Sequence, residues 1–243
     1  MKIHEFGEIN RRNIVMIHGA FMSWDMFMPS IDILSRKYHV YSVALPGHDL
    51  TTKEGFISVE GSAARIGLTL VRDGLRQIDM LYGLGMGGGI ALRILADNDL
   101  PVERAVTDAG TMPAGEAGLF AKLARAMKDT GRKSRTALAA AYRYSPEDIG
   151  RMYSVMQHMS DEAVRSVYEA EGNYSLPEVF PALPDNIEYW YGEAEESARK
   201  PDIEYVKKHI PGVNFRKLTG MAHGQYAICC PAEFAADIDR RMM

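Results

Sequence analysis

Ile78-Asp79-Met80-Leu81-Tyr82, then Gly83-Leu84-Gly85-Met86-Gly87-Gly88-Gly89, then Ile90-Ala91-Leu92-Arg93-Ile94-Leu95: the reading of this stretch decides the fold. A short apolar strand enters a glycine-dense turn and leaves it as an apolar helix, which is the βα unit of a parallel sheet. Upstream, Ile14-Val15-Met16-Ile17 is a second buried-strand pattern, ended by His18-Gly19, and Val40 to Leu45 is a third, stopped by Pro46-Gly47. Between them and the glycine turn a helix is expected from Ser58 to about Arg76, with Ser58 as N-cap and Ile66, Leu70 and Leu75 on its apolar stripe. Downstream, Val102 to Thr107, Ile187 to Tyr191 and Val213 to Leu218 are further strand candidates. Strands alternating with helices imply a right-handed α/β fold with a mostly parallel sheet.

The alternation is broken once. Between Thr111 and about Pro184 strand signals give way to amphipathic helical stretches, with starts at Ser145-Pro146-Glu147 and Ser160-Asp161-Glu162. The expectation is a single domain over residues 1–243 with a helical cap inserted at about 111–184.

Composition narrows the function class. Hydrophobic residues at 47% and charged residues at 25% are those of an ordinary globular protein. A net charge of −4 offers no basic field for collecting phosphates, so nucleic acid is not an expected partner and a small molecule is. The first ten residues lack the apolar core of a secretory signal, and no apolar run is long enough to span a bilayer, so no membrane partner is expected. The two cysteines, Cys229 and Cys230, are adjacent, which strains any disulfide between them and suits a reducing, cytoplasmic setting. His48, His158 and His209 are isolated, no cluster has metal-ligand spacing, and neither a metal nor a nucleotide cofactor is expected.

Four features, in order, make the chain resemble the α/β-hydrolase superfamily: His18-Gly19 after an early strand, Gly-x-Gly-x-Gly at 83 to 87, Gly192 followed by acids, and Ala222-His223-Gly224. Leu45-Pro46-Gly47-His48 is similar to the family's loop after its second main strand. The resemblance implies an α/β-hydrolase fold of the capped, esterase- or lipase-like kind over essentially the whole chain. It also implies a nucleophile elbow, Gly-x-Ser-x-Gly, in which serine sits on a strained turn and the next backbone N–H helps form an oxyanion hole. Here position 85 is glycine, and neither Leu84 nor Met86 is a nucleophile. Gly85 is thus the nucleophile position without its reactive atom. By the same resemblance His223 is the general base, and the acid falls after Gly192, where Glu195 fits the usual spacing best and Glu193, Glu196 and the earlier Asp108 are alternatives. The N–H of Met86 and that of Ala20 or Phe21 are the oxyanion donors.

Fifteen methionines are many for this length, and flexible thioethers suit an adaptable apolar pocket. Trp24, Met112, Tyr144 and Met156 are the candidate lining of a site for a small apolar or aromatic acyl substrate, with Met127 and Tyr142 among the further aromatic and sulfur side chains of the cap. The expected function is therefore a carboxylic-ester hydrolase lineage, inactive or strongly impaired because of Gly85, and active with serine there. The alternatives are a ligand-binding pseudoenzyme, and general-base, lyase-type chemistry by the His223 and Glu195 dyad without a nucleophile.

Overall fold

The computed structural model describes residues 1–56, 58–113 and 143–243. Seven strands form one sheet: β1 (Lys2–Phe6), β2 (Asn13–Ile17), β3 (His39–Ala44), β4 (Met80–Leu84), β5 (Arg104–Asp108), β6 (Asn186–Gly192) and β7 (Asn214–Leu218). Their order is β1-β3-β2-β4-β5-β6-β7, with β1 antiparallel to β3 and every other pair parallel. Each of the six apolar runs read from the sequence is one of the parallel strands, shifted by at most two residues at either end. The seventh, β1, has no such signal, because it is a half-exposed edge strand whose charged side chains protect an unpaired edge.

Helices cover both faces because β2 and β4 are wholly buried. On one face α2 (Val59–Arg72) and α3 (Met86–Asp97) pack against Val15, Ile17 and Leu81; on the other, α1 (Met28–Leu34) and the C-terminal helix Pro231–Met242 pack against Ile14, Met16 and Tyr82. Successive residues of β2 thus serve opposite cores, as the two-residue period of a strand requires. Ser58 caps α2 by accepting the Gly61 N–H at 2.9 Å, and the helix stops four residues short of the expected end, before Gly74, whose φ is +94°.

Between β5 and β6 the described residues contain two helices and no strand: α4 (Pro146–His158) and α5 (Asp161–Ala170), each with its serine N-cap accepting a backbone N–H at 3.1 Å. Part of the expected cap, including Met127 and Tyr142, lies outside the described residues. After β6 come a short 3₁₀ turn at Glu193–Glu195, α6 (Glu196–His209), and, after β7, α7 (Gln225–Cys229) and α8 (Pro231–Met242). Among the described residues no helix is long and apolar enough to cross a membrane.

The connection between β4 and α3 is tight. A Cβ at Gly87 would run into the carbonyl oxygens of Ile17 and His18, so glycine there lets α3 start directly against the end of β2. The loops after β2, β4, β5, β6 and β7 leave the same carboxyl end of the sheet, the place where open parallel sheets bind ligands.

Candidate active site

Gly85 sits between β4 and α3 with φ 55° and ψ −118°, a conformation that a residue with a Cβ adopts only under strain. The backbone holds it there: the Gly85 N–H donates to the Asp108 carbonyl at 2.8 Å, and its own carbonyl accepts from Gly88 and Gly89. A Cβ built on Gly85 would lie 3.1 Å from His223 Nε2, 3.4 Å from its Cε1 and 3.8 Å from Gly19 Cα. Residue 85 therefore faces both the imidazole and the turn after β2. Met86 is the first residue of α3, so its N–H has no acceptor within the helix and lies at the positive end of its dipole.

The turn after β2 is held by a histidine. His18 donates from Nδ1 to the Gly19 carbonyl at 2.9 Å and accepts the Leu45 N–H on Nε2 at 3.2 Å, tying the loops after β2 and β3 together. Burial lowers its pKa to about 4, so it is neutral, as those two bonds require. Ala20 and Phe21 follow, both buried, and Phe21 has a φ of 59°, an uncommon value for an aromatic residue.

Opposite Gly85, His223 Nδ1 meets Glu195 Oε2 at 2.8 Å. Glu195 Oε1 accepts the Gly192 N–H at 3.2 Å, and Tyr144 donates its hydroxyl to the His223 carbonyl at 2.7 Å, so His223 is held through both side chain and backbone. Burial opposes charge on the imidazole, yet the neighbouring Glu195 carboxylate outweighs it and lifts the His223 pKa above its ordinary value. Burial likewise opposes charge on Glu195, but His223, Arg199 and the Gly192 N–H together hold its pKa below the usual range. The other acids after Gly192 are engaged elsewhere, Glu193 with the Gly220 N–H at 2.7 Å and Glu196 with Lys217 at 3.3 Å.

Behind the dyad lies a buried charge cluster that the sequence did not disclose. Arg199, one helical turn beyond Glu195 on α6, stands 3.5 Å from Glu195 through Nε and 3.0 Å from Asp202 through a terminal nitrogen. Asp202 also accepts the Met112 N–H at 2.8 Å. Burial raises Asp202 to a pKa of about 6 and Glu171 to about 7, in both cases against the pull of Arg199. Asp108, at the end of β5, accepts the Tyr82 hydroxyl at 2.8 Å and is pushed by burial to about 6; it acts on His223 through space, while Glu195 makes the hydrogen bond. The Glu195 to Arg199 spacing of four residues was the one available sequence signal.

Of the candidate lining, Tyr144 touches the His223 loop and Met112 leads from β5 into the charge cluster. Met156 is buried on the α4 face that packs into the core. Trp24 opens a 3₁₀ turn at Trp24–Phe27, and its ring stacks on His4 at 3.6 Å and lies 6.0 Å from Phe6, both on the edge strand β1. His48 is buried and donates to the Pro46 carbonyl, His158 bonds the Thr52 carbonyl, and His209 stacks on Tyr205. Cys229 and Cys230 are free thiols, and among the described residues no three His, Cys, Asp or Glu side chains group to hold a metal ion.

An elbow at a strand-to-helix turn, facing a histidine after the last strand and an acid after the one before, is the arrangement that the sequence resemblance implies. The model of the alpha/beta hydrolase family matches residues 14–211, most of the chain. The chain belongs to the alpha/beta hydrolase family. Its similarity to monoacylglycerol lipase abhd6-A of Xenopus laevis is 27% identity over 153 residues, covering 61% of this chain and 45% of the relative; with abhd6-B of the same organism it is 25% over 169 residues, 64% and 50%. The chain thus spans about half the length of the curated relatives it matches. Among solved structures, an esterase from Exiguobacterium antarcticum superposes with a TM-score of 0.76 at 15% identity, over 99% of this chain and 94% of that one. The N-acyl homoserine lactonase AidH, solved as a serine-to-glycine mutant complexed with N-hexanoyl homoserine lactone, superposes with a TM-score of 0.70 at 20% identity, over 98% and 92%. At these identities the structural likeness is one of alpha/beta hydrolase fold.

Proposed function

We propose that this alpha/beta hydrolase descends from carboxylic-ester hydrolases and holds an acyl substrate or ligand without the serine that would attack it. The observation that carries the reading is the 3.1 Å between a Cβ built on Gly85 and His223 Nε2, which puts a side chain at that position within reach of the base. In this reading His223 is the general base, Glu195 orients it and balances its charge, and the N–H groups of Met86 and of Ala20 or Phe21 cradle the developing oxyanion. The helices between β5 and β6 form a cap over a small apolar or aromatic acyl group, with Met112, Tyr144 and Met156 as its expected lining.

Glycine removes the attacking oxygen but none of these partners. Loss of a serine nucleophile costs on the order of 10⁶ in kcat, while the remaining hole and base still give on the order of 10³ to 10⁴ over uncatalysed hydrolysis. The chain as it stands is accordingly a weak hydrolase acting through a water, or a binder. The intact His223 and Glu195 pair also favours a second reading, proton abstraction by the dyad alone.

A panel of short-chain esters assayed on the chain and on Gly85→Ser separates these. Gly85→Ser is expected to gain turnover by about three orders of magnitude or more and to take a fluorophosphonate label at position 85. Turnover that ignores residue 85 but vanishes in His223→Ala supports the dyad reading instead, and no gain and no label in Gly85→Ser defeats the first.

A further inference from the structure

Glu171 belongs to the buried charge cluster behind His223 and has no part in the chemistry above. It caps the end of α5, its N–H donating to the Val167 carbonyl at 3.2 Å, and the residue is only 6% exposed. Its Oε2 is buried and has no hydrogen-bond partner among the described residues. A buried carboxyl oxygen left unpaired is costly and calls for a physical reason.

Neighbouring groups do not supply one. Arg199 is within electrostatic reach, but its terminal nitrogen is engaged by Asp202 at 3.0 Å and by the Ala109 carbonyl at 3.4 Å, and its Nε leans on Glu195. Glu171, Asp202 and Glu195 all act through space on that one guanidinium, whose Nε, like Glu171 Oε2, has no hydrogen-bond partner among the described residues, so the two do not satisfy each other. The placement of Glu171 is fixed by the chain just after it. Tyr174 donates its hydroxyl to the Thr111 carbonyl at 2.8 Å and lies 3.0 Å from where a Cβ of Gly89 would be, so the segment from Glu171 crosses over the first turn of α3, the helix that begins beside Gly85. His223 in turn lowers the Glu171 pKa through space, against the larger effect of burial.

We propose that Glu171 is a substrate-binding residue, whose buried carboxyl accepts a hydrogen bond from an O–H or N–H donor carried by the ligand close to its ester group. This deepens the ester-hydrolase reading and rests on it for the position of the ester. The ligand class it selects is an acyl ester or lactone bearing a hydroxyl or amide N–H near the scissile bond, in preference to a plain alkyl ester. A site built around an acceptor rejects the analogue that lacks the donor, because the acceptor then stays unpaired.

The test compares 2-hydroxyethyl butanoate with its near-isostere propyl butanoate. In the Gly85→Ser chain, the ratio of their kcat/KM values is expected to favour the hydroxyl ester, to fall about tenfold in Glu171→Leu, and to fall less in Glu171→Gln, which keeps an acceptor. Calorimetric titration of the same two esters into the chain with Gly85 is expected to show the same preference and the same loss. Turnover by Gly85→Ser with a ratio that Glu171→Leu leaves unmoved overturns the proposal while the hydrolase reading stands. Preferential binding lost in Glu171→Leu, with Gly85→Ser inert, upholds the donor site and removes the hydrolase reading. No preference in either assay overturns the assignment of Glu171.

Discussion

At residue 85 glycine sits in a backbone conformation that strains any residue with a Cβ. With φ 55° and ψ −118°, any other residue bears strain of about 1 to 3 kcal/mol. A Cβ must also displace an imidazole 3.1 Å away that Glu195 and Tyr144 hold from two sides. Gly85→Ala and Gly85→Ser are both expected to melt several degrees lower than the chain itself, at about 2 to 4 °C per kcal/mol for a domain of this size. Thermal melts of the three chains check this; equal or higher Tm values in both variants would mean the elbow is relaxed. Gly85 and His223 stand in local patterns of glycines and strand ends that the sequence shows, whereas Glu195 was one of several acids in the running. Glu171 was not legible, since an acid near the end of an amphipathic helix reads as a solvated surface group until its burial is known.

The element that matters most beyond the elbow is α6. A four-residue spacing on a helix puts Arg199 beside Glu195, and a three-residue spacing puts Asp202 on the same side. The guanidinium favours ionised Glu195 and lowers the pKa of His223, which Glu195 raises. On the proposed reading, Gly85→Ser works through neutral His223, and the acidic limb of its kcat/KM is expected to report that pKa. Arg199→Met removes the charge that opposes imidazolium, and the limb is expected to move to higher pH, while Arg199→Lys keeps it nearer its place. A limb that stays put in Arg199→Met would confine Arg199 to packing. The sequence announced α6 only as a charged stretch after Gly192, because its buried face carries Arg199, Asp202 and Val206 in place of a continuous apolar stripe.

Over the whole molecule the buried ionisable groups set the pH response of stability. Asp108, Asp202 and Glu171 have pKa values raised to about 6, 6 and 7 from 3.8, 3.8 and 4.5, so the folded state binds more protons and loses stability as pH rises through that interval. His223, also raised, contributes stability that is full below 6.5 and lost above its folded pKa. Glu195 runs the other way, its contribution present above 4.5 and lost as pH falls. Buried His18 and His48, lowered to about 4 and 3, add stability that is gained as pH rises toward 6.5, so Tm against pH is expected to peak near pH 6 and to decline toward pH 8. A maximum at pH 8 would contradict the burial of these acids.

By itself the sequence determined the alternation of strands and helices, the parallel sheet and the glycine-rich turn between β4 and α3, because each is encoded within a few consecutive residues by periodicity, glycine and turn chemistry. Only the tertiary structure decided that Glu195 and not its neighbours reaches His223, that Trp24 leans on β1, and that Arg199, Asp202 and Glu171 form one buried cluster. Those outcomes depend on the close approach of segments far apart in the chain and on exclusion of water between them, and neither distance nor desolvation is written in local pattern.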